Sequence, residues 1–356
     1  MLDQITNQIK DIKNSLRHWL NTMQVFDGTY KMANSSVASS LDATSLAIDL
    51  KQMIGDPFTQ EETSRLVAYF NSRQIGEWGF YYEDQLEKKL DFSIDRVKEM
   101  HGNYLTFQVV GALKGLDVFP KQPIRFYDQF IQGPGISHYL DNNCPWERSP
   151  WGAGGMVDNL GTILDMNIRM GREEYRSVLE QVFDWLDLNQ DSKTGLWGTP
   201  NIQGLSGQIN GAYHLMRGTY CLTNKEFNCS EKIISSILEN IEIENYLKSD
   251  NIHGCYEMDH SVVLEKALKM SKGYRLDDVQ KWAKKRIFEI IDLSYCKDGG
   301  FSFFKDSSIK IHNYIYVSQG EKEADMVGSV FFMQSIRSLC EILGVTHNIK
   351  KSVTHG

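Results

Sequence analysis

The chain has 356 residues, of which 41% are hydrophobic and 24% charged, and a formal net charge of −8. That composition is ordinary for a globular protein with a sizeable core. The acidic balance, without any block of basic residues, argues against a nucleic-acid partner.

Length allows two average domains or one large repeat-built domain. With seven prolines and no low-complexity run there is no obvious linker, which predicts one unit over residues 1–356. The chain opens on MLDQITNQIKDIKNSLRHWL, read as a polar amphipathic helix. It lacks the apolar core and small-residue cleavage site of a signal peptide, and no stretch reads as a membrane span. The six cysteines (Cys144, Cys221, Cys229, Cys255, Cys296, Cys340) form no CxxC pair. They read as reduced, mostly buried thiols of a cytoplasm-like compartment.

One phrase recurs along the chain. It begins at Trp19-Leu20, runs through Gln24 and reaches Asp27-Gly28-Thr29-Tyr30. It returns at Tyr69 to Gln74 with Trp78-Gly79-Phe80-Tyr81, and more weakly at Tyr127 to Gly133. Its fullest copy is Phe183 to Gly198, FDWLDLNQDSKTGLWG, with Gln190 before the turn and Trp197 in the aromatic knot. A degenerate copy covers Tyr246-Leu247-Lys248 through Tyr256, and a last one, Ile291 to Phe304, keeps Asp298-Gly299-Gly300-Phe301 without the glutamine. The spacing of roughly 50 to 60 residues suits two helices and two turns.

Between the knots lie apolar segments predicted as buried helices: 41–54, 104–116, 157–170, 209–222, 258–270 and 324–343. The segments that lead into the knots, such as 174–188 and 277–293, carry charge on one face and are predicted to pack outside. Strand signals are confined to short aromatic runs such as Gly300 to Phe304. Six helical hairpins of inner and outer helices predict an all-α protein, an (α/α)6 toroid with short aromatic turns. Closure would remove the exposed ends of an open solenoid, which is the alternative arrangement.

The Trp/Leu–Gln–Asp–Gly–aromatic phrase resembles the QW-type repeat of terpenoid cyclases and of the β subunits of protein prenyltransferases. The resemblance rests on WLNTMQVFDGTY, WLDLNQDSKTGLWG and, less completely, DGGFSFF. It implies the toroid across the whole chain. The same fold hosts glycoside hydrolases, lyases and epimerases, so it does not settle chemistry. Gln24, Gln74, Gln190, Trp197 and Phe301 read as structural. The glutamine caps a helix end and bonds into the next turn, and the aromatic plugs that turn.

Aligning the openings of the inner helices gives a polar ring: Asp42, His101, Asp158, Asn210, Asp259 and Asp325. An N-cap role accounts for single members. Capping accounts less well for the company they keep, Glu257, His260, Gln208, Tyr213 and His214. Carboxylates beside histidines in one cavity are acid–base candidates. The segment Glu257-Met258-Asp259-His260 is similar to the DxDD element of class II terpenoid cyclases. The resemblance implies that Asp259 is the proton donor, although Glu257 and His260 replace the flanking aspartates. In that reading Glu257 and His260 tune the acid, and Tyr104, Tyr213, Tyr256 and Phe107 stabilise cations.

The prenyltransferase resemblance implies a zinc site. The neighbours of Cys255 (His253, Asp259) and of Cys296 (Asp298, His312) lack a tight metal spacing, and no DDxxD magnesium motif is present. No cofactor or metal is therefore expected. The glycines of 152–155 do not follow a strand, so nucleotide binding is not expected either. The stretch CPWERSPWGAGG, with Trp146 and Trp151, reads as a rim or lid loop.

The sequence thus predicts an enzyme acting on a small-molecule isoprenoid or glycan. Asp259, Glu257, His260, Asp42, Asp158 and Asp325 are the catalytic candidates, and His101, Tyr104, Trp151, Asn210, Tyr213, His214 and Tyr256 line the substrate site. Acid-initiated cyclisation of an isoprenoid ranks first. A carbohydrate-active enzyme would instead use two carboxylates about 5–9.5 Å apart, Asp259 with Asp42, Asp158 or Asp325. A non-catalytic binding or scaffold toroid is the remaining alternative.

Overall fold

Helix boundaries fall where caps and glycines sit in the sequence. The computed structural model describes residues 2–83, 95–133, 135–200, 204–243, 253–313 and 315–355. The first part holds α1 (Leu2–Met23), α2 (Leu41–Ile54), α3 (Gln60–Arg73), the two-residue strands β1 (Gln74–Ile75) and β2 (Phe80–Tyr81), and α4 (Asp95–Gly115). A 3₁₀ turn (Phe126–Asp128) leads to α5 (Gln129–Gln132), α6 (Ile136–Asn142), α7 (Pro150–Arg169) and α8 (Tyr175–Leu188). Next come α9 (Gly204–Met216), a π-helical turn (Arg217–Cys221), α10 (Ser230–Ile243), α11 (Gly254–Met270) and α12 (Leu276–Ser294). The hairpin β3 (Ile311–His312) and β4 (Ile315–Tyr316) precedes α13 (Met326–Leu343). The described chain is all-α apart from these two antiparallel hairpins and isolated bridges such as Tyr295 to Phe301.

The caps are those expected of the residue types. Ser40 accepts the Ala43 amide at the start of α2, and Gly55 ends that helix at φ 73°. Thr59 and Glu62 form a reciprocal capping box on α3. Inner segment 41–54 appears as predicted, whereas α4, α7 and α11 begin before Tyr104, Val157 and Met258. The stretch CPWERSPWGAGG is not a loop throughout. Pro150 takes the first position of α7 and Ser149 accepts the Gly152 amide, so Trp151 and its glycines are helical. Residues 126–132 form a 3₁₀ turn and a single helical turn rather than a copy of the knot.

Contacts divide the chain into two compact units, one of Met1–Pro123 with Arg286–His355 and one of Ile124–Lys285. In the first, α2 packs against α1, α4 and α13. Its core includes Leu41, Ile48, Phe70, Tyr81, Leu105 and Val109. The tail is drawn in: Asp49 accepts from Ser352 Oγ and from the Val353 amide, and His355 lies against Phe107 and Phe331. By length and composition α13 is apolar enough to cross a membrane, contrary to the sequence reading. It is nevertheless 89% buried inside the protein and carries buried Gln334, Ser335 and Arg337, as a core helix does.

In the second unit α9 packs between α7 and α11, while α8 covers α7 and α10 covers α11. Helix α8 buries Val178, Val182, Phe183 and Leu186 on one face. Helix α11 is buried almost all round, the distinction predicted between outer and inner helices.

The glutamines act on the turns as expected. Gln74 Nε2 donates to Gly79 O (2.9 Å) and Gln122 O (2.7 Å), and Gln190 Nε2 repeats this with Gly195 O (2.8 Å) and Asn228 O (2.9 Å). Trp197 Nε1 donates to Leu186 O at 2.8 Å, pinning the knot to the helix that enters it. Of the degenerate copy, Tyr246, Leu247 and Lys248 lie outside the described residues.

Candidate active site

Two pairs of glycines seat the polar centre of the second unit. A Cβ on Gly154 would stand 2.1 Å from Gly211 O, and one on Gly161 would stand 2.1 Å from Gly218 O. Only residues without side chains let α7 run this close to α9 and the π turn. Asp158 lies between the two α7 glycines and so faces residues 214–218. Arg217 Nε donates to Asp158 Oδ1 at 3.1 Å and its Nη2 to Oδ2, forming a two-point pair with both partners buried. Arg217 Nη1 also reaches Tyr213 Oη at 3.1 Å, and His214 Nδ1 lies 3.3 Å from Asp158 Oδ2. Burial is the largest influence on His214 and lowers its pKa, so it favours the neutral imidazole. Burial also opposes the Arg217 charge, but Asp158 outweighs it and the guanidinium is held firmly protonated.

Asp259, on α11, is the unusual acid. It is fully buried, and neither carboxylate oxygen has a hydrogen-bond partner among the described residues. Burial drives its pKa well above the ordinary carboxylate value; Arg217 opposes the shift and Asp158 adds to it. Burial therefore favours the protonated form of Asp259, and Arg217 is the cation that opposes it. The carboxylate that reinforces the shift is Asp158, not Glu257 as the sequence suggested. Residues two apart on a helix do not face each other, which separates Glu257 from Asp259. His260 is also turned elsewhere, with Nδ1 2.8 Å from Tyr256 O and Nε2 3.3 Å from Asn240 Nδ2 on α10.

Aromatic rings gather on the opening turns of α7 and α11. Trp151 stacks on His253 at 6.3 Å and 5°, and lies 6.5 Å from His214 and 6.0 Å from Tyr256. Tyr213 Oη meets Met258 Sδ at 3.4 Å, so it packs onto the helix that carries Asp259. Asn210 is fully buried, and both polar atoms of its amide lack a partner among the described residues.

The other predicted residues lie in the first unit. Asp325 is a cap: its Oδ1 accepts the Gly328 amide, and its Oδ2 accepts those of Phe303 (2.7 Å) and Ile309 (3.1 Å). Those bonds occupy it structurally, although burial still raises its pKa to about 6. Asp42 is not the cap of its helix, since Ser40 fills that role. Its Oδ2 instead lies 2.5 Å from His312 Nδ1, and His312 Nε2 lies 3.4 Å from Tyr104 Oη. His101 is buried with Nδ1 3.0 Å from Asn313 O, and burial lowers its pKa to about 4.

Asp158 stands more than two turns into α7 whereas Asp325 precedes α13, so the ring members do not share one helical position. Pattern reading passed over Arg217 and weighed His312 only as a neighbour of Cys296. An arginine inside the apolar segment 209–222 was the available signal for the first. Among the described residues no three His, Cys, Asp or Glu side chains converge as a metal site. All six cysteines are free, with Cys144, Cys296 and Cys340 buried and the other three half-buried.

Fold and site together define an all-α protein with a buried acid that has no hydrogen-bond partner among the described residues, a buried ion pair and an aromatic wall. Compared with protein-family models and with curated proteins, the chain matches none.

Proposed function

We propose that the chain is an enzyme in which Asp259 is the general acid that initiates cyclisation of an isoprenoid. The observation that carries this reading is the carboxyl of Asp259, fully buried and bonded to no described residue. An acid meant to protonate an alkene or epoxide must stay protonated at neutral pH and must not be spent on a neighbour. Burial supplies the first condition. Arg217, already anchored by Asp158, then favours the carboxylate left behind when the proton departs. The proton goes to an alkene carbon or epoxide oxygen of the substrate and leaves a carbocation. Trp151, Tyr256 and Tyr213 offer π faces to that cation, and its deprotonation after ring closure ends the reaction.

In the second unit the glycan reading is less well supported. A glycosidase needs a second, available carboxylate, and Asp158 is committed to Arg217.

We propose further that the helical hairpins belong to an (α/α)6 toroid. The side-by-side packing of α7, α9 and α11 under outer helices supports this. Small-angle scattering separates the ring from an open solenoid by its maximum dimension.

The functional test is an Asp259→Asn variant assayed beside wild type on prenyl alcohols, prenyl diphosphates, an oxidosqualene-type epoxide and oligosaccharides. The expected result is wild-type turnover of an isoprenoid, with a loss of about 100-fold or more in the variant. Undiminished turnover by Asp259→Asn removes the residue from catalysis. Turnover of oligosaccharides alone overturns the isoprenoid assignment, and binding without turnover of any of these favours the scaffold.

A further inference from the structure

The first unit carries a second cluster that the Asp259 reading does not use. His101, Tyr104 and Gln108 lie on one face of α4, at the spacing that brings side chains together on a helix. Asp42 approaches from α2, and His312 and Asn313 come from the β3–β4 hairpin. The members are linked: Gln108 Nε2 donates to Tyr104 Oη at 2.7 Å, Tyr104 Oη neighbours His312 Nε2, and His312 Nδ1 bonds Asp42. Asn313 holds the hairpin tip at φ 45°, a left-handed conformation that costs an ordinary residue energy and concentrates at functional sites.

Three atoms of this cluster are buried without a hydrogen-bond partner among the described residues: Asp42 Oδ1, Gln108 Oε1 and His101 Nε2. Buried polar atoms are almost always paired, so three together call for an occupant. Two of them, Asp42 Oδ1 and Gln108 Oε1, are acceptors. His101 Nδ1 lies 3.0 Å from Asn313 O and 3.1 Å from Asn313 Nδ2, so Nε2 donates or accepts according to the tautomer. His101, Asp42 and Gln108 are fully buried, whereas His312, Tyr104 and Asn313 are half-buried and form the approach.

Charge narrows the class of ligand. His312 balances Asp42, Glu83 is kept largely neutral by burial, which raises its pKa to about 8, and Asp325 is held by three amides. The one nearby carboxylate with an open oxygen, Asp42, is partnered by His312. Two acceptors and an imidazole nitrogen match the hydroxyls of a polyhydroxylated molecule, since a hydroxyl both donates and accepts.

We propose that this cluster is a binding site for a neutral saccharide, whose hydroxyls donate to Asp42 Oδ1 and Gln108 Oε1 and bond His101 Nε2 beside Tyr104 and His312. The site stands independently of the role given to Asp259.

The test uses the full chain and two readouts, calorimetric titration and the imidazole proton resonances of His101 and His312. The probes are glucose, N-acetylglucosamine, maltotriose and cellotriose, with glucuronate and glucosamine as charged counterparts. The expected result is saturable binding of at least one neutral sugar with shifts of both imidazoles. Tyr104→Phe, which removes the acceptor that orients the Gln108 amide, and His101→Gln should each weaken that binding about tenfold, the scale of one lost hydrogen bond. If His101→Gln fails to fold, the half-buried Tyr104→Phe still decides the matter. No saturable binding of any neutral sugar, binding indifferent to Tyr104→Phe, or tighter binding of glucosamine or glucuronate would each overturn the proposal.

Discussion

Arg217 grips Asp158 at two points inside the second unit, Nε to Oδ1 at 3.1 Å and Nη2 to Oδ2. A buried ion pair of this kind adds little net stability against an apolar pair, but it is costly to break from one side. Its value here is positional, because it fixes the cation that acts electrostatically on Asp259 and ties α7 to the π turn after α9.

Arg217→Met should therefore destabilise the protein by about 3–5 kcal/mol, because Asp158 is left charged and unpaired. The double variant Arg217→Met with Asp158→Leu should recover most of that loss. Urea unfolding midpoints of the two variants measure the difference. Equal midpoints would show that the pair does not act as a unit.

Asp259→Asn should stabilise the folded protein, increasingly so as pH rises. The fold holds the Asp259 proton to higher pH than the unfolded chain does, so above the ordinary value of 3.8 each rise in pH favours unfolding of the wild type. Asparagine carries no such penalty. Melting temperatures should nearly coincide at pH 4 and separate in favour of the variant by pH 8. A gap that is constant across this range contradicts a buried neutral acid.

Asp42→Asn should act with the opposite sign. Burial lowers the His312 pKa, but Asp42 and then Asp325 raise it by more, so the net shift is upward from 6.5. The stabilisation that comes from this pair is complete below 6.5 and fades as pH rises through the folded value. The variant should lose about 2 kcal/mol at pH 5.5, the scale of a charge-assisted hydrogen bond, and less at pH 9. The His312 imidazole titration followed by NMR should move to lower pH.

Gly154→Ala and Gly155→Ala should differ in sign although they are adjacent on α7. Alanine ordinarily gains about 0.5–1 kcal/mol over glycine inside a helix. At position 155 nothing lies within 4 Å of the new methyl, whereas at 154 it meets Gly211 O at 2.1 Å. Thermal unfolding should show a rise for Gly155→Ala and a fall of several degrees for Gly154→Ala. A fall for both would mean that the close approach of α7 and α9 is not the deciding contact.

Much of the scaffold was legible in the sequence because it is made of local rules. Ser40, Thr59 and Gly55 mark helix ends through bonds to residues three or four away, and the predicted segment 41–54 appears as α2. Gln74 and Gln190 reach carbonyls five residues on, so their role in the knots also follows from spacing along the chain. The reading failed at CPWERSPWGAGG, where glycines suggested a loop. Those glycines serve the contact with α9, and no local pattern distinguishes a glycine that permits a turn from one that permits a neighbour.

The sequence by itself determined the all-helical character, the end of α2 and the difference between a one-faced helix such as α8 and a helix buried almost all round such as α11. Only the tertiary structure decided what each candidate carboxylate does. Asp325 caps a helix, Asp42 pairs with His312 from some 270 residues away, Asp158 is claimed by Arg217, and Asp259 is left alone. The reason is physical. A cap or a hydrophobic face depends on residues within one or two turns, whereas the charge on a buried acid depends on every group that packing places around it and on how completely water is removed.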